Sequence, residues 1–140
     1  MVAVLEQVLD ASGIRAAASD SRAGAVVLFE GCARNHHAGR AVEELAYEAF
    51  VPMAEAGLAE LREQAIQQFG LCACVVHHRT GTVPIGEAAV IVATSSPHRK
   101  EAFEAAMWIM DRIKERVPIW KQERYAEGGE AWVEGEKREA

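Results

Sequence analysis

The sequence predicts an α+β fold, and three observations carry that expectation. Residues 52–69 and 97–117 repeat apolar side chains at helical spacing. Several shorter runs are β-branched-rich or alternate apolar with polar. The two kinds of segment do not alternate strictly as β-α-β, which argues against a parallel α/β sheet.

Taken in order, residues 1–23 hold a short apolar segment and then AAASDSRAG, which reads as a surface connection. Ala25–Gly31, AVVLFEG, is expected as a buried strand. Cys32–Arg40, CARNHHAGR, is polar, contains a glycine, and reads as a mobile loop. Residues 42–50 alternate, with Leu45, Tyr47 and Ala49 on one face and Glu44, Ala46 and Glu48 on the other, as a half-exposed strand does.

The first long helix is expected over Pro52–Phe69, with proline in its first turn and a stripe of Met53, Ala56, Leu58, Leu61, Ala65, Ile66 and Phe69. Gly70 ends it as a C-cap. Cys72–Thr80 and Ala88–Thr94 read as strands joined by a turn-rich segment with Gly81, Pro84 and Gly86. Ser96 is then placed as the N-cap and Pro97 as the first residue of a second long helix. Its buried stripe is expected to be Phe103, Ala106, Met107, Met110, Ile113 and Val117, and Pro118 stops it. Ile119–Tyr125 and Ala131–Val133 form a closing hairpin across Gly128-Gly129, and residues 134–140 read as a frayed tail.

At 140 residues the chain fits a single domain, residues 1–140, long enough to bury a sizeable core. Half the residues are apolar and 26% are charged, the balance of a globular protein. The pI near 5.4 argues against nucleic acid as a partner. No stretch approaches the roughly 20 apolar residues of a membrane span. The N-terminal run contains acids and no basic leader, so no secretory signal is expected. Three cysteines form no disulfide framework, and a reducing cytoplasm is the expected location.

Against a net charge of −6, cationic donors gather around the second helix: His98 and Arg99 at its start, Lys114 near its end, Lys121 just beyond Pro118. Such a set points to a small anionic ligand. A helix start already favours an anion through its free N–H groups, and arginine adds a planar fork. Each residue also has an ordinary reading. His98-Arg99 can be a solvated first turn, Lys114 a C-terminal lysine complementing the dipole, and Lys121 a strand lysine lying over a tryptophan. Geometry constrains the set further. About sixteen positions separate His98 from Lys114, roughly 24 Å of helix, with the side chains rotated to different sides. One copy of the chain cannot bring both onto one small ligand, which favours a homodimer with a shared site.

Arg34 leaves the first long strand and enters the following loop, a common place for a binding group. The tandem His36-His37 has no acidic or cysteine partner at ligand spacing and reads as solvated. Cys72, Cys74 and His78 would share a strand face, but zinc sites usually draw their first pair from a turn, so core packing is the expectation and no metal site is assigned.

These residues resemble the catalytic (large) subunit of molybdopterin synthase, the MoaE family. The matching pieces are Gly24–Gly31 leading to Arg34-Asn35-His36, then Tyr47 through Pro52-Met53-Ala54-Glu55, and His78-Arg79-Thr80-Gly81. Ser96-Pro97-His98-Arg99, Ala102-Phe103-Glu104 and Lys114 with Val117-Pro118-Ile119-Trp120-Lys121 complete the set. The resemblance implies an α/β-hammerhead fold, two long helices packed on mainly antiparallel strands. It implies a homodimer within a heterotetramer, each large subunit receiving the Gly-Gly tail of a small ubiquitin-like sulfur-carrier subunit. It also implies a sulfurtransferase that moves two sulfurs from that tail's thiocarboxylate onto cyclic pyranopterin monophosphate, forming the molybdopterin dithiolene, with no cofactor of its own.

Carried onto this sequence, the substrate-binding residues are Arg34, His98, Arg99, Lys114 and Lys121, with Lys114 and Lys121 catalytic. The histidine–arginine pair would come from the other protomer. Where many relatives carry a basic residue, this chain has Cys32, one cation fewer near the substrate. The competing expectation is a non-catalytic anion-binding or partner-docking module that uses the same basic pocket.

Overall fold

The computed structural model of the chain describes residues 1–133; the tail expected over 134–140 lies outside the described residues. In chain order the elements are β1 (Val2–Leu5), α1 (Ala11–Ala17), β2 (Ala25–Cys32), β3 (His36–His37), β4 (Arg40–Ala49) and α2 (Val51–Phe69). β5 (Ala73–Arg79), β6 (Gly81–Pro84), β7 (Ala88–Ser96), α3 (Arg99–Arg116), β8 (Ile119–Tyr125) and β9 (Glu130–Val133) follow. Helices and sheets are mixed without β-α-β alternation, as the segment order predicts.

One sheet runs β1-β5-β7-β2, with β1 parallel to β5 and the other pairs antiparallel. Its two central strands are buried on both faces, and the strand period sorts their side chains. Cys74, Val76, Val90 and Val92 face α2 and α3, against Leu58, Leu61, Ile109 and Ile113. Val75, Ile91 and Ala93 face the other way, against Ile14 and Ala18 of the α1 region. In the second sheet β4 pairs β8 along most of its length, β3 at its start and β6 in its middle, and β9 closes on β8. Val42, Leu45 and Val83 form a smaller core beneath it with Ala33 and Ala89.

Several expectations need correction. Residues 11–17 are helical because the Asp10 carboxylate accepts from the Gly13 N–H at 3.0 Å and caps the turn, so α1 takes the start of the stretch read as a connection. Among the described residues β2 pairs only β7, so it is an edge strand and not a buried one, and Phe29 stays 39% exposed. The segment after it is pinned: Ala33 donates to the Glu87 carbonyl at 3.0 Å and accepts from Gly86 at 2.8 Å. Its end folds as a β3–β4 hairpin around Ala38 and Gly39, both at positive φ. The turn-rich segment after β5 contains a strand, β6, paired with β4. Ala46 is buried along with Leu45, so β4 is more enclosed than a half-exposed strand.

The helices also sit slightly differently on their partners. α2 buries Ala54, Leu58, Leu61 and Ala65, leaving Met53 exposed, and Gly70 caps it in the left-handed region as expected. α3 begins at Arg99 with His98 as N-cap, because Ser96 is still the last residue of β7 and its hydroxyl donates to the His98 carbonyl. It buries Ala102, Ala105, Ala106, Ile109 and Ile113, while Phe103 and Met107 are exposed. Two adjacent faces of α3 carry apolar residues at helical spacing. The alanine-rich face is the one that lets α3 approach α2 and the sheet closely.

Candidate functional site

A cavity of about 320 Å³ opens between the C-terminal half of α3, the exit of β2 and the β4–β8 ladder. Strand alternation builds its wall. On β8, Ile119, Lys121 and Glu123 share the cavity face, whereas Trp120 points outward and is 46% exposed. On β4, Leu45 and Tyr47 face the same space, and register sets Tyr47 directly opposite Lys121 and Leu45 opposite Glu123. The helix contributes Met110, Ile113 and Lys114, spaced three and four residues apart on one side. From the β2 exit come Gly31, Cys32 and Arg34. Gly31 must be small there, since a Cβ would lie 2.8 Å from Val90 Cγ1.

Arg34, Lys114 and Lys121, singled out from distant parts of the sequence, therefore line one cavity. His98 and Arg99 do not. They are exposed at the far end of α3, as the helix-length argument requires within one chain.

The sequence reading missed three further lining groups. His78 is 5% exposed, its Nδ1 lies 2.9 Å from the Arg79 carbonyl oxygen, and its ring meets Tyr47 edge-on at 5.1 Å between centroids. His37 is half-buried with Nδ1 2.8 Å from a Glu123 carboxylate oxygen, so it is not simply solvated as expected. Glu123, itself buried, comes from β8 and was invisible to any search at local ligand spacing. The i, i+2 pattern of Lys121 and Glu123 was the available signal for the carboxylate.

Among the described residues no group of three or more His, Cys, Asp or Glu could hold a metal ion. Cys74 lies in the main core, and burial pushes its thiol up to about 11. Cys32 is exposed at the cavity edge. Among the described residues no helix is long and apolar enough to cross a membrane. Among the described residues the cavity thus offers three cationic side chains, an imidazole held by a carboxylate, and an apolar wall, which suits an anion with an organic body.

Comparison with known proteins gives a consistent family. The model of the MoaE protein family matches residues 4–116. A molybdopterin synthase catalytic subunit from Pyrococcus abyssi is 41% identical over 119 residues, covering 85% of this chain and 80% of that one. The corresponding protein from Aspergillus fumigatus is 41% identical over 122 residues, and the match covers 87% of this chain but 65% of the longer fungal one. In structure, molybdopterin synthase from Staphylococcus aureus superposes with a TM-score of 0.87 at 37% identity, covering 93% of this chain and 94% of that chain. The cavity, the topology and these matches together place the chain in the MoaE protein family.

Proposed function

We propose that this chain is the catalytic subunit of a molybdopterin synthase, a sulfurtransferase that acts on cyclic pyranopterin monophosphate. The observation that supports it most is the convergence of Arg34, Lys114 and Lys121 on one cavity in a chain similar to molybdopterin synthase catalytic subunits. Sulfur arrives on the thiocarboxylated Gly-Gly tail of a small ubiquitin-like subunit and is transferred twice to build the dithiolene. The reaction opens a cyclic phosphate, so negative charge develops on phosphate oxygens. Fixed cations stabilise that charge without reorganising.

In this reading Arg34 holds an anionic group bidentately, Lys114 stands nearest the incoming thiocarboxylate, and Lys121 stabilises anionic intermediates. Both lysines are suited to proton transfer during the sulfur-transfer steps. His98 and Arg99 serve the cavity of a second copy, giving a homodimer with shared sites and, with two small subunits, a heterotetramer. The chain is one domain of the α/β-hammerhead type and works in the cytoplasm.

The deciding experiment mixes the protein with the pterin precursor and the thiocarboxylated small subunit. Dithiolene product supports the enzyme. Binding of the tail without product would leave a non-catalytic docking module instead.

A further inference from the structure

The cavity also contains a carboxylate–imidazole pair. His37 Nδ1 sits 2.9 Å from Oε1 and 2.8 Å from Oε2 of Glu123. Glu123 is 4% exposed, and its Oε1 also accepts from the Tyr125 hydroxyl at 3.0 Å. The Tyr125 ring is in turn covered by the Arg40 guanidinium, 3.5 Å from its centroid. The carboxylate is therefore held from several sides, and it straddles one nitrogen of an imidazole whose side chain is 39% exposed.

A carboxylate on Nδ1 selects the tautomer that carries its proton there and fixes the ring plane. The nitrogen not engaged by Glu123 is Nε2, on a residue that lines the same cavity as Arg34, Lys114 and Lys121. In the imidazolium form both ring nitrogens are donors, so with Nδ1–H given to Glu123 the second donor, Nε2–H, is the one the ring offers to an anion. The β3–β4 hairpin, closed by Ala38 and Gly39, sets His37 against β8.

We propose that His37 is a further substrate-binding residue of this cavity, its Nε2–H donating to an anionic oxygen of the substrate's phosphate group, and that Glu123 is the positioning residue that orients it. The assignment of that phosphate to the pterin precursor rests on the function proposed above; the recognition of a phosphate oxygen does not.

Two measurements on the intact chain test the assignment. Inorganic phosphate, followed through the His37 imidazole resonances, is expected to shift them toward the doubly protonated form, with about tenfold more phosphate required in Glu123→Gln. In product formation with the small subunit, His37→Ala is expected to raise KM about tenfold while kcat changes less than about twofold. His37→Gln, whose amide nitrogen approximates Nε2, recovers most of that loss. His37→Asn approximates Nδ1 and does not.

The reverse order, with Asn rescuing and Gln failing, would mean that His37 only buttresses Glu123 and would overturn the proposal. A native protein that forms product while phosphate leaves the His37 resonances unmoved would overturn it equally. If phosphate shifts His37 but no product forms with the native protein, the synthase reading falls and the phosphate contact stands.

Discussion

Lys121 on β8 stands in register opposite Tyr47 on β4, and both side chains face the cavity that Lys114 reaches from α3. A strand lysine and a helix lysine, seven positions apart around Pro118, are brought together because the chain reverses there and β8 runs back along β4. That arrangement makes the lysines separable in experiment. Lys114 belongs to α3 and Lys121 to the β4–β8 ladder.

Lys114→Ala is accordingly expected to keep the fold, since alanine is the best helix former and position 114 is outside the main core cluster. Its Tm should stay within about 3 °C of the native value. Product formation should fall by at least about 100-fold. Near-normal turnover would remove this lysine from the mechanism.

The proposed sharing of sites between two copies has its own signature. Arg99→Ala and Lys114→Ala homodimers should each be nearly inactive, yet a mixture allowed to exchange subunits should recover up to about a quarter of native activity, because a mixed dimer holds one intact site. No recovery after exchange, verified by mass spectrometry of a tagged copy, would place Arg99 outside the site.

The hairpin that carries His37 turns through Ala38 at φ 52, a region that costs an L-residue with a Cβ about 1 kcal/mol or more. Ala38→Gly, at an exposed position, is expected to raise stability by about 0.5 kcal/mol after glycine's own entropy cost. Urea denaturation with an unchanged m-value reads this directly. The same turn shows why the hairpin was hard to foresee. Alanine is an unusual occupant of a left-handed turn position, and His37 meets its carboxylate partner only through β8, 86 residues further on.

Cys74 offers a pH test. Its thiol is pushed from an ordinary value of 9.0 up to about 11 by burial, so the folded state keeps a proton that the unfolded chain has begun to release. The unfolded state binds fewer protons over that interval, and stability therefore falls as pH rises from about 9 to about 11. Cys74→Ala should flatten the slope there relative to the native protein. At neutral pH a thiol reagent should modify exposed Cys32 quickly and buried Cys74 only on unfolding.

Ile109 is fully buried between α3 and the sheet. Ile109→Ala is expected to cost about 2–5 kcal/mol, measured by denaturation. Below its lowered Tm, kcat/KM should remain within about twofold of native. A selective loss of activity in fully folded protein would show that the core sets the cavity more tightly than the lining residues imply.

By itself the sequence determined the mixed class, the two long helices, the Gly70 cap, the closing hairpin and the family. These rest on backbone period, capping chemistry and ordered motifs, which a chain expresses locally. It also supplied the separation of His98 from Lys114, because helical rise is fixed. Only the tertiary structure decided which faces are buried. Phe103 and Met107 share the helical period with Ala106, but the alanine-rich side of α3 permits close packing and so leaves the larger residues outside. Tertiary structure also brought Arg34, Lys114 and Lys121 to one cavity and gave His37 its carboxylate. Contacts between distant segments depend on strand register and chain reversal, which no local spacing encodes.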